Sequence, residues 1–452
     1  MNIVLSFSSL CMLLLLGKVL RVKVRVFQKL YLPASVIGGL LGLVILQAFG
    51  AYLPEAATTG WSRLPGFLIN IVFAALFLGV TIPPLKTIWR ISGPQLAYGQ
   101  IVAWGQYTAA LGIALLVLVP LFSIQGFVGT IVPVGFEGGH GTAAGLKDTF
   151  ELFDWPEGTD YALASATAGI LFAIIVGMIL INWAARKGIA QKLRRIEDMP
   201  ESSIVGVYEV DERPIAGRQT VSASSVDSLA LHLAIIGLAI FIGYLLKLGL
   251  LEIEAAVPAL AEKRLLTGFP LFPLCMIGGL VVQLSLSRVA KVNPADHQLM
   301  QRLSGTAMDF LVVAAIATIN LPVVMKGFLP FAILVATGVL WNVFCVTYLA
   351  RRLLPKDSWF ERAVAEMGQS MGVTATGLLL LRVVDPENET DALSAFGYKQ
   401  LLHEPFMGGG LWTSMAIPLA ITSGAHIVFL ISLLAIVTWL VVWAILFRKT
   451  FE

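Results

Sequence analysis

Apolar residues in this chain gather in long runs, and polar residues are largely confined to the gaps between them. A helix crossing the ~30 Å hydrocarbon layer of a bilayer needs about 20 mostly apolar residues. Runs of this kind occupy 3–20, 31–54, 66–83, 95–122, 161–184, 229–251, 268–286, 307–325, 327–350, 405–421 and 424–446. The pattern predicts an all-α polytopic membrane protein with about 11 transmembrane helices. Two further apolar stretches, near 126–150 and 362–382, are interrupted by small and polar residues. The one long polar segment, 185–228, divides the chain almost in half. Four parts follow: an N-terminal half over 1–184, a cytoplasmic linker over 185–228, a C-terminal half over 229–423, and an extra helix with its tail over 424–452.

The basic residues set an orientation, because short cytoplasmic loops carry an excess of Lys and Arg. With the N-terminus outside and the C-terminus inside, the cytoplasmic side collects Lys18 to Lys29, Lys86, Arg90 and the linker cations Arg186, Lys187, Lys192, Arg194 and Arg195. It also takes Arg288, Lys291, Arg302, Arg351, Arg352, Lys356, Arg362, Lys399, Arg448 and Lys449. Arg63, Lys147, Lys263, Arg264 and Lys326 are left outside. The first run has its basic flank after it and no clear small-residue cleavage site, so it reads as a retained helix and not as a signal peptide.

The halves echo each other. Ile37-Gly38-Gly39-Leu40 recurs as Ile277-Gly278-Gly279-Leu280, and Gly141-Thr142-Ala143-Ala144-Gly145-Leu146 is echoed by Val373-Thr374-Ala375-Thr376-Gly377-Leu378. Thr159-Asp160 matches Thr390-Asp391 with a one-residue slip. In the charge-based topology, the run at 31–54 and its counterpart at 268–286 cross in opposite directions. Inverted-topology repeats are the build of many secondary transporters, because two such copies can open a central site to one side and then the other.

The interrupted stretches belong to this repeat. Between Gly126 and Leu146 stand seven glycines and Pro133, with Glu137-Gly138-Gly139-His140-Gly141-Thr142 in the middle. Each glycine in a helix interior costs about 1 kcal/mol relative to alanine, so a continuous helix is not expected here. Its partner, Gly368-Gln369-Ser370-Met371-Gly372-Val373-Thr374-Ala375-Thr376-Gly377, is likewise small and rich in hydroxyls. Both read as re-entrant hairpins, at about 126–150 and 362–382. Unwound backbone at membrane depth is tolerated where it is buried in protein or lines a wet cavity. There, half-helix N-termini favour carboxylates, while free carbonyls and hydroxyls coordinate Na⁺. The Gly141/Gly145 and Gly368/Gly372 pairs also fit a competing role as close-packing devices.

Composition agrees with the membrane reading. The 57% hydrophobic and 13% charged content excludes an ordinary cytosolic enzyme, a disordered chain and a fibrous one. The net charge of +3 gives no reason to expect a nucleic-acid partner. Cys11, Cys275 and Cys345 lie apart in apolar runs, with neither a disulfide framework nor metal-ligand spacing. No HExxH, GxSxG or GxxxxGK[ST] motif is present, which argues against a hydrolase and an ATP-driven pump.

The run Gly138-Gly139-His140-Gly141-Thr142-Ala143-Ala144 resembles the first re-entrant signature of the bacterial sodium/glutamate symporters, and Gly372-Val373-Thr374-Ala375-Thr376 resembles the second. Leu32-Pro33 through Leu40 and Ala162 to Gly169 add to the similarity. The resemblance implies two inverted five-segment repeats, hairpins that meet at the substrate site, Na⁺ coupling and a homodimer. The chain departs from the family pattern at Ala375, where proline is usual, in the apolar segment Leu378 to Arg382, and in its extra helix and longer linker.

The substrate is therefore expected at Gly138, Gly139, His140, Gly141, Thr142, Gly372, Thr374, Ala375, Thr376 and Arg382, and Na⁺ at Glu137, Gln369, Ser370 and Thr374. His140 can equally brace its loop, and Arg382 can equally snorkel to the cytoplasmic face. Asp160, after Thr159, suits a helix cap. The expected function is Na⁺-coupled alternating-access symport of a small carboxylate, L-glutamate foremost, in the inner membrane, with no organic cofactor. The alternatives are Na⁺- or H⁺-coupled carriage of another small anion, such as a dicarboxylate or another amino acid, and an ion channel.

Overall fold

The computed structural model describes every residue except 1, 31, 51–54, 81–84, 190–204, 290–292, 387–388 and 449–452. Among the described residues there are helices and turns but no strand. Eight of their helices are long and apolar enough to cross a membrane, so the chain is a multi-pass membrane protein. The elements that matter below are α1 (Asn2–Lys23), α2 (Ala34–Phe49), α3 (Glu55–Ala75), α4 (Leu85–Ile113), α5 (Ile131–Phe136), α6 (Gly139–Gly145), α7 (Glu157–Arg186) and α8 (Ser228–Ala256). They continue with α9 (Phe272–Val289), α10 (His297–Ala317), α11 (Phe328–Phe344), α12 (Trp359–Met371), α13 (Thr374–Val384), α14 (Ala392–His403), α15 (Leu411–Thr422) and α16 (Ala425–Leu446).

Several expected spans are shorter or shifted. The run at 31–54 is helical over Ala34–Phe49, and the run at 405–421 becomes helical only from Leu411. Residues 392–403, passed over as a loop, form α14. Lys192, Arg194 and Arg195 of the expected linker lie outside the described residues, as do Lys291 and Lys449. Three described members of the cytoplasmic basic set are not at a surface: Arg21 and Arg362 are buried and Lys399 is fully buried. Asp160 does not cap its own helix, since its carboxylate accepts the backbone N–H of Asn320 at 2.8 Å.

Glycine decides where helices approach most closely. A Cβ built on Gly38 would stand 2.6 Å from the Leu13 carbonyl oxygen of α1, and one on Gly39 would stand 2.7 Å from Ile316 Cβ of α10. Gly278 lies as tightly against the Ala239 carbonyl of α8, and Gly279 against the Ala74 carbonyl of α3. In both Gly-Gly pairs the first glycine receives the helix preceding in the chain. The second receives a helix from the other side of the linker.

Two helices carry a π-turn, at Ala114–Leu118 after α4 and at Cys345–Leu349 after α11. The two turns are 231 residues apart in sequence, and each precedes one of the interrupted stretches. π-turns are rare and concentrate at functional sites.

Candidate functional site

Three breaks in the helical backbone converge. The first separates α5 from α6 at Glu137 and Gly138, where Gly139 has φ +65°, a left-handed conformation that glycine adopts freely. The second lies at Gly372 and Val373, between α12 and α13. The two face each other, since a Cβ on Gly139 would stand 3.2 Å from Val373 Cγ1 and 3.8 Å from the Gly372 carbonyl oxygen. The third runs from Glu404 to Gly410, between α14 and α15. There Pro405 and three glycines, Gly409 with φ +88°, prevent the helix from continuing.

Between these breaks lies a cavity of about 340 Å³. Its walls are Glu137, Gly138 and Gly141 from the first break, Gln369, Val373, Thr374 and Ala375 from the second, and Glu404 and Gly408 from the third. Ile69, Val72 and Phe73 of α3 face them, with Gln301, Ser304, Gly305 and Met308 of α10. The volume sits at the lower end of the range for small-molecule pockets. A larger cavity of about 630 Å³, beside Arg63, Lys147 and Lys247, contains none of the expected site residues.

A buried polar network backs the cavity. Glu137 Oε2 accepts from Gln369 Nε2 at 3.0 Å and stands 3.2 Å from His403 Nε2. Gln106 Nε2 reaches Glu137 Oε1 at 3.5 Å and donates to the Ser370 carbonyl at 2.6 Å. The tautomer of His403 follows from its neighbours. Trp104 Nε1–H donates to Gln100 Oε1 at 3.0 Å, which turns the Gln100 amide nitrogen towards His403 Nδ1 at 3.2 Å. Nδ1 is then an acceptor, and the ring proton sits on Nε2, pointing at Glu137. Glu137 is thus a buried carboxylate held by neutral donors.

Behind it lies an ion pair. Lys399 Nζ is 2.6 Å from Glu366 Oε1, and both side chains are fully buried. The ammonium also donates to Gln369 Oε1 and Gln400 Oε1, each at 3.0 Å. Gln95 Nε2 donates to Glu366 Oε2 at 2.8 Å. Thr374 Oγ1 accepts from Gln400 Nε2 at 2.6 Å and donates to Glu404 Oε1 at 2.9 Å.

Of the expected residues, Gly138, Gly141, Thr374, Ala375, Glu137 and Gln369 line the cavity. Gly139 and Gly372 lie at the contact between the two breaks. His140 is buried and outside the lining, and its Nε2 meets Thr167 Oγ1 of α7 at 2.9 Å, so here it braces the broken segment. Ser370 is buried outside the lining, its hydroxyl donating to Asn342 Oδ1 at 2.6 Å. Thr142 and Thr376 are also buried outside the lining, while Arg382 is exposed. The close-packing role of the glycines holds beside the binding one. Gly141 and Gly145 abut Ile69 and Phe272, and Gly368 of α12 abuts Gly377 of α13.

The sequence reading missed Glu366, Lys399, His403, Glu404 and the glutamines of α4. A signal for part of this set exists: Arg362, Glu366, Gln369 and Ser370 recur at helical spacing among Ala363, Val364, Ala365, Met367 and Met371, marking a polar stripe on α12.

No curated relative matches the chain. The family model described as sodium/glutamate symporter matches residues 1–387, which include the first two breaks with their motifs and the ion-paired Glu366. With that match over most of its length, the chain belongs to the sodium/glutamate symporter family, whose members are Na⁺-coupled glutamate transporters and not enzymes.

Proposed function

We propose that the cavity enclosed by the three breaks is where this symporter binds L-glutamate and Na⁺. The observation that carries the reading is the shared wall: both motif segments, more than 200 residues apart in sequence, contribute to one small cavity. Thr374 and Ala375 open α13 at that wall, and the unpaired amides of a helix's first turn attract a carboxylate. The donor set fits Na⁺, because a buried carboxylate held by neutral donors is favoured by a nearby cation. Glu137 and Thr374 would hold the ion; Gln369, its N–H turned to Glu137 and its oxygen on Lys399, would orient the carboxylate, with Ser370 supporting them from behind. Buried Thr142 Oγ1 and Gln106 Oε1 have no hydrogen-bond partner among the described residues, which leaves acceptors free nearby.

Alternating access would come from two inverted repeats, each with a hairpin. Supporting this are the paired contacts of Gly38-Gly39 and Gly278-Gly279 and the equivalent π-turns before the two breaks. The homodimer, the inner-membrane location and the N-outside, C-inside orientation belong to the same proposal. The test is uptake of labelled L-glutamate by purified protein in liposomes, which is expected only under an inward Na⁺ gradient. Equal uptake with K⁺, or Na⁺-driven uptake of a different acid in place of glutamate, would overturn it. A Thr374→Val variant is expected to fold and lose uptake, and retained uptake would remove the second break from the site.

A further inference from the structure

The Lys399 ammonium lies inside a complete cage of oxygens. An ammonium has three donors, and here each has its own acceptor: one carboxylate oxygen of Glu366 and the amide oxygens of Gln369 and Gln400. Each acceptor is held from its far side. Glu366 receives Gln95, Gln369 donates to Glu137, and Gln400 donates to Thr374. Gly99 of α4 makes the space, since a Cβ there would stand 2.5 Å from both Lys399 Cε and Glu366 Oε1. A rigid, oxygen-only set with a single carboxylate is the donor type that hard cations take.

We propose that Lys399 is a tethered cation: its ammonium fills a monovalent-cation site built by Glu366, Gln369 and Gln400, and removing it turns that cage into a site for an alkali ion. The chain carries one of its cations covalently, on α14, next to the ion it binds from solution. Because Gln369 accepts from Lys399 and donates to Glu137, the built-in charge fixes the orientation of the amide that holds the carboxylate the solution ion meets. This last point rests on the Na⁺ reading of the cavity, whereas the cage itself does not.

The experiment counts radiolabelled Na⁺ bound per chain in purified, full-length wild type, Lys399→Ala and Lys399→Ala/Glu366→Gln. Lys399→Ala is expected to bind one more Na⁺ than wild type, and the double variant is expected to return to the wild-type count. An unchanged count in Lys399→Ala, or an extra ion retained in the double variant, overturns the proposal. Should Lys399→Ala fail to fold in choline chloride, recovery in NaCl or KCl supports the cage, and failure in all three salts while the double variant folds overturns it. The wild-type count reads the cavity separately: zero in wild type with one in Lys399→Ala sinks the Na⁺ reading and leaves the tethered cation standing.

Discussion

Replacing Gly139 with alanine tests the meeting of the first two breaks at the smallest possible scale. The backbone there has φ +65°, where a side chain costs roughly 1–2 kcal/mol. The added methyl would also stand 3.2 Å from Val373 Cγ1, tight enough that one of the two must give way. The two costs separate in a Val373→Ala background, which clears the methyl but leaves the backbone strain. A loss of one to two kcal/mol corresponds to a roughly five- to thirty-fold fall in the population of the arrangement in which Gly139 meets Val373. Initial rates of Na⁺-driven glutamate uptake in liposomes, corrected for folded protein by size-exclusion chromatography, provide the assay. Gly139→Ala is expected to fall within or below that range. Gly139→Ala/Val373→Ala should regain part of the loss relative to Val373→Ala alone, and Gly139→Leu should abolish uptake. Wild-type rates in Gly139→Ala would refute both the left-handed tip and its contact with Val373.

Two further outcomes follow from the network behind the cavity. Glu137→Gln removes the buried charge while keeping its shape, and breaking a buried ion pair costs about 3 kcal/mol or more; the Na⁺ concentration for half-maximal uptake should rise at least roughly a hundredfold, and an unchanged value would take Glu137 out of the ion's surroundings. Gln100→Leu strips His403 Nδ1 of its donor and Trp104 Nε1 of its acceptor, so unfolding in mild detergent should become easier by about 1–3 kcal/mol. No change in the denaturant midpoint would contradict the tautomer assigned to His403.

The first two breaks were legible because glycine announces itself: its density around Gly138 marks where one long helix gives way to two short ones. What stayed hidden were the charges. A scan for apolar runs passes over α14, which has only 12 residues. The orientation rule then assigns Lys399 to a cytoplasmic loop, since nothing local distinguishes a buried lysine from a solvated one. Its partner Glu366 is 33 positions away, and Gln95 lies 271 positions from Glu366 on a third helix. Burial of that ion pair is a property of the assembled bundle and of the gap at Gly99, and no window along the chain contains it. For His140 the sequence left two roles open, substrate contact and a brace. Its motif drew it towards the substrate, whereas the position of Thr167 on α7 makes it a brace.

The crossing glycines have a consequence for how the chain is made. Gly39 is closed over by Ile316, and Gly279 by the backbone of Ala74, so each partner lies beyond the polar segment at 185–228. When α2 and α3 leave the ribosome, the surfaces they need belong to helices that have not been synthesised. Both must wait in the bilayer, α2 with the gap at Gly39 and α3 with the backbone at Ala74 unmatched, until α10 and α9 arrive. These crossings can therefore close only after the second half is made, and a chain truncated at the linker would hold half of each with nothing to close it.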